Sequence, residues 1–91
     1  MWRVVWSDQA LDNVEDITAY VRDFSPDAAA HLELSIVEAA QSLSVMPDRG
    51  RPAGRGYREL TIIPPYIIRY VVVDEEVRVL SVRHSARRPE I

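Results

Sequence analysis

The hydrophobic pattern of this 91-residue chain changes from a helical to a strand-like period between residues 47 and 56. From about residue 8 to that segment, apolar residues recur every three or four positions, as they do on one face of a helix. After it, the chain consists of short runs of β-branched and aromatic residues, which are typical of strands. A chain of this length buries one small core. The pattern therefore limits the fold to helices from the first half packed on a sheet built mainly from the second half.

Two helices joined with almost no loop are predicted in the first half. Ser7 can cap the first helix, and Ser25 followed by Pro26 is a second start signal, because proline fits the first helical position. The predicted bounds are residues 2–6 for a strand, about Asp8 to Phe24 for the first helix, and about Pro26 to Val45 for the second. The stripes expected to face the core are Leu11, Val14, Ile17, Val21 and Phe24, then Ala29, Leu32, Ile36, Ala39 or Ala40, and Leu43.

The segment from Pro47 to Gly56, PDRGRPAGRG, predicts a loop with three exposed arginines, because Gly and Pro disfavour a helix or a central strand. Three strands with short connections follow, and a short flexible tail is expected at about residues 85–91. The predicted strands are Tyr57–Ile63, Tyr66–Val73 and Val77–His84. The sequence thus predicts a single α+β domain over residues 1–91, a two-layer sandwich in the order β-α-α-β-β-β. Its helical hairpin packs on one face of a mainly antiparallel four-stranded sheet.

The basic residues are all arginines, and they are concentrated in the second half. Residues 1–48 carry two arginines and nine acidic residues, whereas residues 49–91 carry nine arginines and five acidic residues. Arginine presents a planar fork of donors, so such a surface suits recognition of carboxylate, phosphate or aromatic groups; the alternative is that arginine simply replaces lysine. The candidate partner-binding residues are Arg49, Arg51, Arg55, Arg58, Arg69, Arg83, His84, Arg87 and Arg88.

Arg69 interrupts an otherwise apolar strand, so it should lie on the sheet face that points away from the helices. It either contacts an anion or a partner, or is a solvated arginine whose stem covers apolar surface. A three-residue turn at 74–76 would place Arg69 opposite Ser81, and a two-residue turn would place it opposite Leu80, so the register stays open. Alternation places Ile67, Val71 and Val73 with Arg69 on the open face, and Tyr66, Ile68, Tyr70 and Val72 on the other.

His84 lies in a second group of basic residues, from Arg83 to Arg88. It could act as a general acid or base in RNA cleavage, or hydrogen-bond the backbone at the end of a strand. His31 is expected on the surface of an acidic helix, and Arg58 is expected to pair locally with Glu59. The two histidines lack metal-site spacing, so neither a metal nor another cofactor is expected. With no cysteine and no membrane-length apolar run, a cytoplasmic protein without membrane contact is expected.

Five motifs in order resemble the RelE/ParE toxin superfamily over nearly the whole chain. They are Ser-Pro-Asp-Ala-Ala from Ser25, Pro47-Asp-Arg-Gly-Arg-Pro52, Tyr57-Arg-Glu-Leu60, Pro65-Tyr-Ile-Ile-Arg-Tyr70 and Val82-Arg-His-Ser-Ala-Arg87. The resemblance implies the toxin of a bacterial type II toxin–antitoxin pair. It also implies a cognate antitoxin that neutralises the toxin and with which it could form a hetero-oligomer.

The superfamily resemblance implies two chemistries. RelE-like members cleave mRNA on the ribosome without a metal, and here Arg69, Arg83, His84 and Arg87 would be the catalytic set. ParE-like members inhibit DNA gyrase and lack the nuclease residues. This chain has no lysine, no glutamate from Pro47 to Gly56 and no aromatic residue after Tyr70, and its net charge of −3 opposes tight ribosome binding.

These departures favour the ParE-like branch. We therefore expect a non-enzymatic toxin that arrests growth by inhibiting DNA gyrase. The alternatives are a ribosome-dependent mRNA endoribonuclease and a non-toxic member that only binds its antitoxin.

Overall fold

A computed structural model describes residues 1–62 and 65–86 of the chain. Its elements are β1 (Arg3–Trp6), α1 (Asp8–Arg22), α2 (Pro26–Ser42), β2 (Arg51–Pro52), β3 (Arg58–Thr61), β4 (Tyr66–Val73) and β5 (Glu76–His84). The strands form one sheet in the order β1-β5-β4-β3-β2, in which β1 runs parallel to β5 and the other pairs are antiparallel. The predicted α+β fold is confirmed, with five strands described instead of four.

Both helices begin at the predicted caps and end earlier than predicted. The Ser7 and Ser25 hydroxyl oxygens accept hydrogen bonds from the amides of Ala10 and Ala28, at 3.0 and 3.1 Å. The predicted helix ends at Phe24 and Val45 were wrong: α1 ends at Arg22 and α2 at Ser42. For α1 the reason is local, because a residue that precedes proline avoids the helical conformation, and Ser25 is extended with φ −157°. The chain must therefore leave α1 before Ser25.

The core lies between the helical hairpin and one face of the sheet. The predicted stripe of α2 is confirmed, since Ile36, Ala40 and Leu43 are fully buried. The stripe of α1 was wrong at its two ends, where Leu11 is 53% and Phe24 76% exposed. The buried core cluster consists of Ala10, Ile36, Ala39, Ala40, Leu43, Leu60, Ile68, Tyr70, Val77, Val79 and Val82. Among the described residues, no helix has the length and apolar character that a membrane span requires.

The segment predicted as a loop contains an edge strand. In β2, Arg51 pairs with Glu59 and Pro52 with Arg58 of β3. A proline is tolerated there because an edge strand has one side without ladder hydrogen bonds. The hairpin tip turns at Gly54, Arg55 and Gly56, which all have positive φ. The loop prediction therefore missed a two-residue strand that brings Arg51 to the sheet.

The strand bounds agree with the sequence for β4 and differ slightly elsewhere. β3 is shorter than predicted, and β5 begins one residue earlier, at Glu76. Of the predicted tail, Ser85 donates its amide hydrogen to the Pro65 carbonyl at 2.6 Å. Residues 87–91 lie outside the described part of the chain.

The register of β4 and β5 combines the two alternatives that the sequence leaves open. Only Asp74 and Glu75 separate the strands, since Val73 pairs with Glu76. Arg69 nevertheless pairs with Ser81, because the register shifts by one residue between Arg69 and Tyr70. This β-bulge places an extra residue in β5 and re-aims the side chains beyond it.

Helix α1 and its N-cap residue Ser7 hydrogen-bond to β5 at the bulge. The Ser7 hydroxyl donates to the Leu80 carbonyl at 2.9 Å, and the Asn13 side-chain oxygen accepts from the Val82 amide at 3.0 Å. These two bonds pair a backbone group of Leu80, which is the extra residue of the bulge, and one of Val82, two residues beyond it. The helix therefore helps to set which β5 side chains reach the open face of the sheet.

We expect Asn13→Ala to lower the free energy of unfolding by about 1–3 kcal/mol, because it leaves the Val82 amide without its acceptor. Asn13→Asp retains an acceptor oxygen and should lose less. Urea denaturation of the two variants compares them directly. Equal stability of Asn13→Ala and wild type would show that this bond does not support the bulge.

Candidate functional site

Glu59 lies at the centre of a group of arginines on the sheet face opposite the helices. Arg69, its partner across β3 and β4, donates from Nε and Nη2 to Glu59 Oε2 at 3.2 and 2.9 Å. Arg83 Nη2 donates to the same oxygen at 3.1 Å, and Arg51 Nη2 lies 3.7 Å from Oε1. We call Arg51, Glu59, Arg69 and Arg83 the arginine–glutamate cluster. It joins strands β2, β3, β4 and β5.

The inner part of this cluster is shielded from water. The side chains of Glu59, Arg69 and Arg83 are 7, 14 and 16% exposed, whereas that of Arg51 is 73% exposed. Burial by itself raises the pKa of Glu59, but the hydrogen bonds and positive charges of Arg69 and Arg83 outweigh it and hold the pKa below its ordinary value. Glu59 is therefore ionised at neutral pH. Three guanidiniums surround one carboxylate, so the cluster remains positive.

The predicted face of Arg69 is confirmed, and its surroundings were not foreseen. The guanidinium carbon lies 5.3 Å from the centre of the Tyr57 ring, in a cation–π contact, in addition to the bonds with Glu59. The expected local pair of Arg58 with Glu59 was wrong, because neighbouring residues of a strand point to opposite faces. Arg58 Nη1 donates instead to the carbonyls of Gly50 and Asp48, at 2.6 and 3.3 Å.

The segment before β2 is anchored to the core through Tyr70. Its hydroxyl donates to the Pro47 carbonyl and accepts from the Gly50 amide, each at 2.8 Å. Burial raises the pKa of Tyr70, and the Gly50 hydrogen bond offsets part of that rise. A Cβ atom at Gly50 would stand 2.6 Å from the Tyr70 oxygen, so the close approach requires glycine. The positions of Arg49 and Arg51 are thereby tied to the sheet.

The other predicted arginines occupy different places. Arg49 Nη1 donates to the Ser42 hydroxyl at 2.7 Å, next to the end of α2. Arg55 is exposed at the tip of the β2–β3 hairpin. The predicted candidates Arg87 and Arg88 lie outside the described residues. As expected, His31 is exposed on α2.

His84 points to the face opposite Arg69 and Arg83. It pairs with Tyr66, and their rings contact edge to face with centres 5.6 Å apart. Tyr66 shares its face with the buried Ile68, whereas Arg83 pairs with Ile67 on the open face. His84 Nδ1 accepts the Ala86 amide at 3.1 Å, as the strand-end alternative predicts. The structure thus brings Arg51, Arg69 and Arg83 together and leaves His84 on the other side of the sheet.

A smaller group, in which two arginines surround a second glutamate, lies at the other end of the open face. Glu76 accepts hydrogen bonds from Arg3 and from Arg78 Nε, the latter at 3.0 Å. The bonds from Arg3 and Arg78 lower the pKa of Glu76. Within the described part of the chain, no three His, Cys, Asp or Glu side chains converge as a metal site requires.

Glu59 is the residue of the candidate site that sequence reasoning missed. It is the only acidic residue of β3. Its partner Arg69 is the only charged residue of β4. That coincidence could have suggested a cross-strand pair on one face.

Comparisons with known proteins identify the family of the chain. Residues 4–89 match the family model of the ParE toxin of the type II toxin–antitoxin system parDE. The chain belongs to the ParE toxin family. This ParE-family chain is 45% identical over 87 residues to the toxin RelE2 of Caulobacter vibrioides, across 96% of this chain and 99% of that protein. It is thus the toxin of a type II toxin–antitoxin system, and its partner is a cognate antitoxin.

One solved structure supports the ParE-family assignment, and a second shares the fold. The fold matches a structure described as a chromosomal ParDE toxin–antitoxin system from P. aeruginosa, with a TM-score of 0.80 and 26% identity over 92% of this chain and 96% of that one. A conserved hypothetical protein from Helicobacter pylori shares the fold alone, with a TM-score of 0.59 and 15% identity over 94 and 97% of the two chains. The names of these relatives come from both superfamily branches.

Proposed function

We propose that this ParE-family toxin arrests growth by binding and inhibiting DNA gyrase in the cytoplasm, without catalysing a reaction. The observation that carries the proposal is the separation of His84 from Arg69 and Arg83 by the sheet. A nuclease needs a proton-transfer group and charge-stabilising groups at the same substrate atoms, within hydrogen-bond reach. A binding surface has no such requirement.

The carboxylate in the cluster gives further support to a binding role. Glu59 has a lowered pKa and three hydrogen bonds on one oxygen, which makes it a weak proton acceptor. Arginine and tyrosine, by contrast, are enriched among the residues that dominate protein–protein binding. Arg51 is exposed, and the half-buried ring of Tyr57 contacts Arg69, so the face offers both residue types to a partner.

The antitoxin is expected to bind the same face of the sheet. We propose that a segment that folds on binding lays a helix beside the helical hairpin and extends across the Arg69 face. Carboxylates of that segment would meet the excess positive charge around Arg51. Occupation of the face by the antitoxin would then exclude the target.

We expect purified toxin to inhibit supercoiling by purified gyrase or to trap cleaved DNA. In parallel, translating ribosomes treated with the toxin should give no new mRNA ends. Unaffected gyrase at saturating toxin, together with new mRNA ends, would establish the RelE-like alternative instead. Neither effect, without growth arrest on expression, would indicate a member that only binds its antitoxin.

A further inference from the structure

We infer that Glu59 sets the ligand specificity of the open sheet face. Its carboxylate occupies the guanidiniums of Arg69 and Arg83 and withholds them from phosphate, so that the face selects a protein and rejects nucleic acid. This inference rests on the proposed function, because a toxin that acts on gyrase gains nothing from binding cellular RNA. Glu59 is a specificity residue here and takes no part in a reaction.

The hydrogen-bond geometry is the first reason. Arginine binds phosphate strongly by presenting two parallel N–H groups as a fork. In Arg69 one such pair, Nε and Nη2, is already directed at Glu59 Oε2. Arg83 donates to the same oxygen from Nη2. A phosphate that sought these donors would have to displace an internal acceptor.

Burial and charge are the second reason. Glu59 is buried and ionised, so its negative charge offsets part of the positive charge of Arg69 and Arg83 and weakens the attraction of a phosphate to them, in a partly shielded environment where charges interact more strongly than in water. Because the pKa of Glu59 is lowered, the carboxylate does not release the arginines by protonation near neutral pH. The Glu59 carboxylate therefore competes with an external phosphate for Arg69 and Arg83 throughout the neutral pH range.

Within the arginine–glutamate cluster, Arg51 is the guanidinium that remains accessible to a partner. It is exposed and stands 3.7 Å from Glu59 Oε1, at the rim of the cluster. A single exposed guanidinium can donate to carbonyl or carboxylate groups of a protein. It does not reproduce the row of cations that the backbone of a nucleic acid requires for tight binding.

The group around Glu76 provides a matched control on the same face. It also joins one glutamate to two arginines, but Arg3 and Arg78 are exposed. A ligand in solution can therefore reach these two guanidiniums in the wild type. Glu59→Gln and Glu76→Gln change the net charge equally, so any difference between them reports the buried position.

The test is binding of a fluorescently labelled single-stranded RNA by fluorescence anisotropy over a range of salt concentrations. We expect weak binding by the wild type and at least about tenfold tighter binding by Glu59→Gln. The slope of log K against log salt should be steeper by about 1.4, for two additional phosphate contacts on a single strand. Glu76→Gln should show a clearly smaller gain. No gain for folded Glu59→Gln, or an equal gain for both variants, overturns the inference.

A second measurement uses the wild type and does not depend on the folding of a variant. Pyrophosphate is titrated into ¹⁵N-labelled protein while the arginine Nε–Hε signals are followed by NMR. The signal of Arg51 should shift and that of Arg69 should not. Shifts of Arg69 and Arg51 at the same pyrophosphate concentration would overturn the inference.

The RNA-binding and gyrase assays test the specificity role of Glu59 and the proposed function separately. If the wild type inhibits gyrase while Glu59→Gln gains no affinity for RNA, the gyrase proposal stands and the specificity role of Glu59 fails. If Glu59→Gln gains affinity for RNA while wild type leaves gyrase active, the reverse holds.

Discussion

Replacing Arg69 with alanine should lower the free energy of unfolding by about 3 kcal/mol, measured by urea denaturation. The change leaves Glu59 buried and ionised with one of its two close partners missing, and an incompletely paired buried charge is costly. It also removes the contact with the Tyr57 ring. Arg51→Ala is the comparison, since that exposed pair should contribute less than about 1 kcal/mol.

The double variant Arg69→Ala with Glu59→Gln identifies the cause of the stability loss in Arg69→Ala. If the loss comes from the unpaired carboxylate, the double variant should be more stable than Arg69→Ala alone. Equal or lower stability of the double variant would show that the packing of the Arg69 stem is responsible instead.

The pairing of Glu59 with its arginines should also affect how stability depends on pH. The folded state lowers the pKa of Glu59, so the carboxylate contributes stability that is present above its unfolded pKa and is lost as the pH falls through its folded pKa. The melting temperature of the wild type should therefore fall below about pH 4.3 more steeply than that of Glu59→Gln. Parallel curves for the two proteins would contradict the assigned role.

Replacing Tyr70 with phenylalanine should lower the free energy of unfolding by about 2–4 kcal/mol. The change leaves the Gly50 amide and the Pro47 carbonyl without their shared partner, and each unpaired buried group costs about 1–3 kcal/mol. Amide exchange at Gly50 should become faster, because the hydroxyl fixes that segment. Tyr66→Phe is the control, as Tyr66 contacts the His84 ring at the end of the same strand. Equal losses for Tyr66→Phe and Tyr70→Phe would argue against a specific anchor.

Local patterns were sufficient for much of the fold. The serine caps, the stripe of α2 and the bounds of Tyr66–Val73 were predicted correctly. So was the face of Arg69, because alternation along one strand fixes it without knowledge of the neighbours. Each of these predictions depends on residues that are close together in sequence.

The parts that the sequence did not predict depend on contacts between distant residues. The bulge opposite Arg69 is held by Ser7 and Asn13 of the first helical segment, so turn length alone could not reveal the register. The two-residue strand β2 exists because β3 offers it an edge. The partner of Glu59 follows only from the pairing of β3 with β4, and a carboxylate that seemed a local partner of Arg58 is the centre of the site.

We expect the arginine–glutamate cluster to form the surface that inhibits gyrase. The most direct test of this role is the toxin concentration that half-inhibits supercoiling by purified gyrase, for the wild type, Arg51→Ala and Arg22→Ala. Both variants remove one exposed arginine, from the cluster and from the end of α1 respectively. We predict that Arg51→Ala requires at least about tenfold more toxin, equivalent to about 1.4 kcal/mol, while Arg22→Ala matches the wild type. Equal inhibition by all three proteins would contradict the claim.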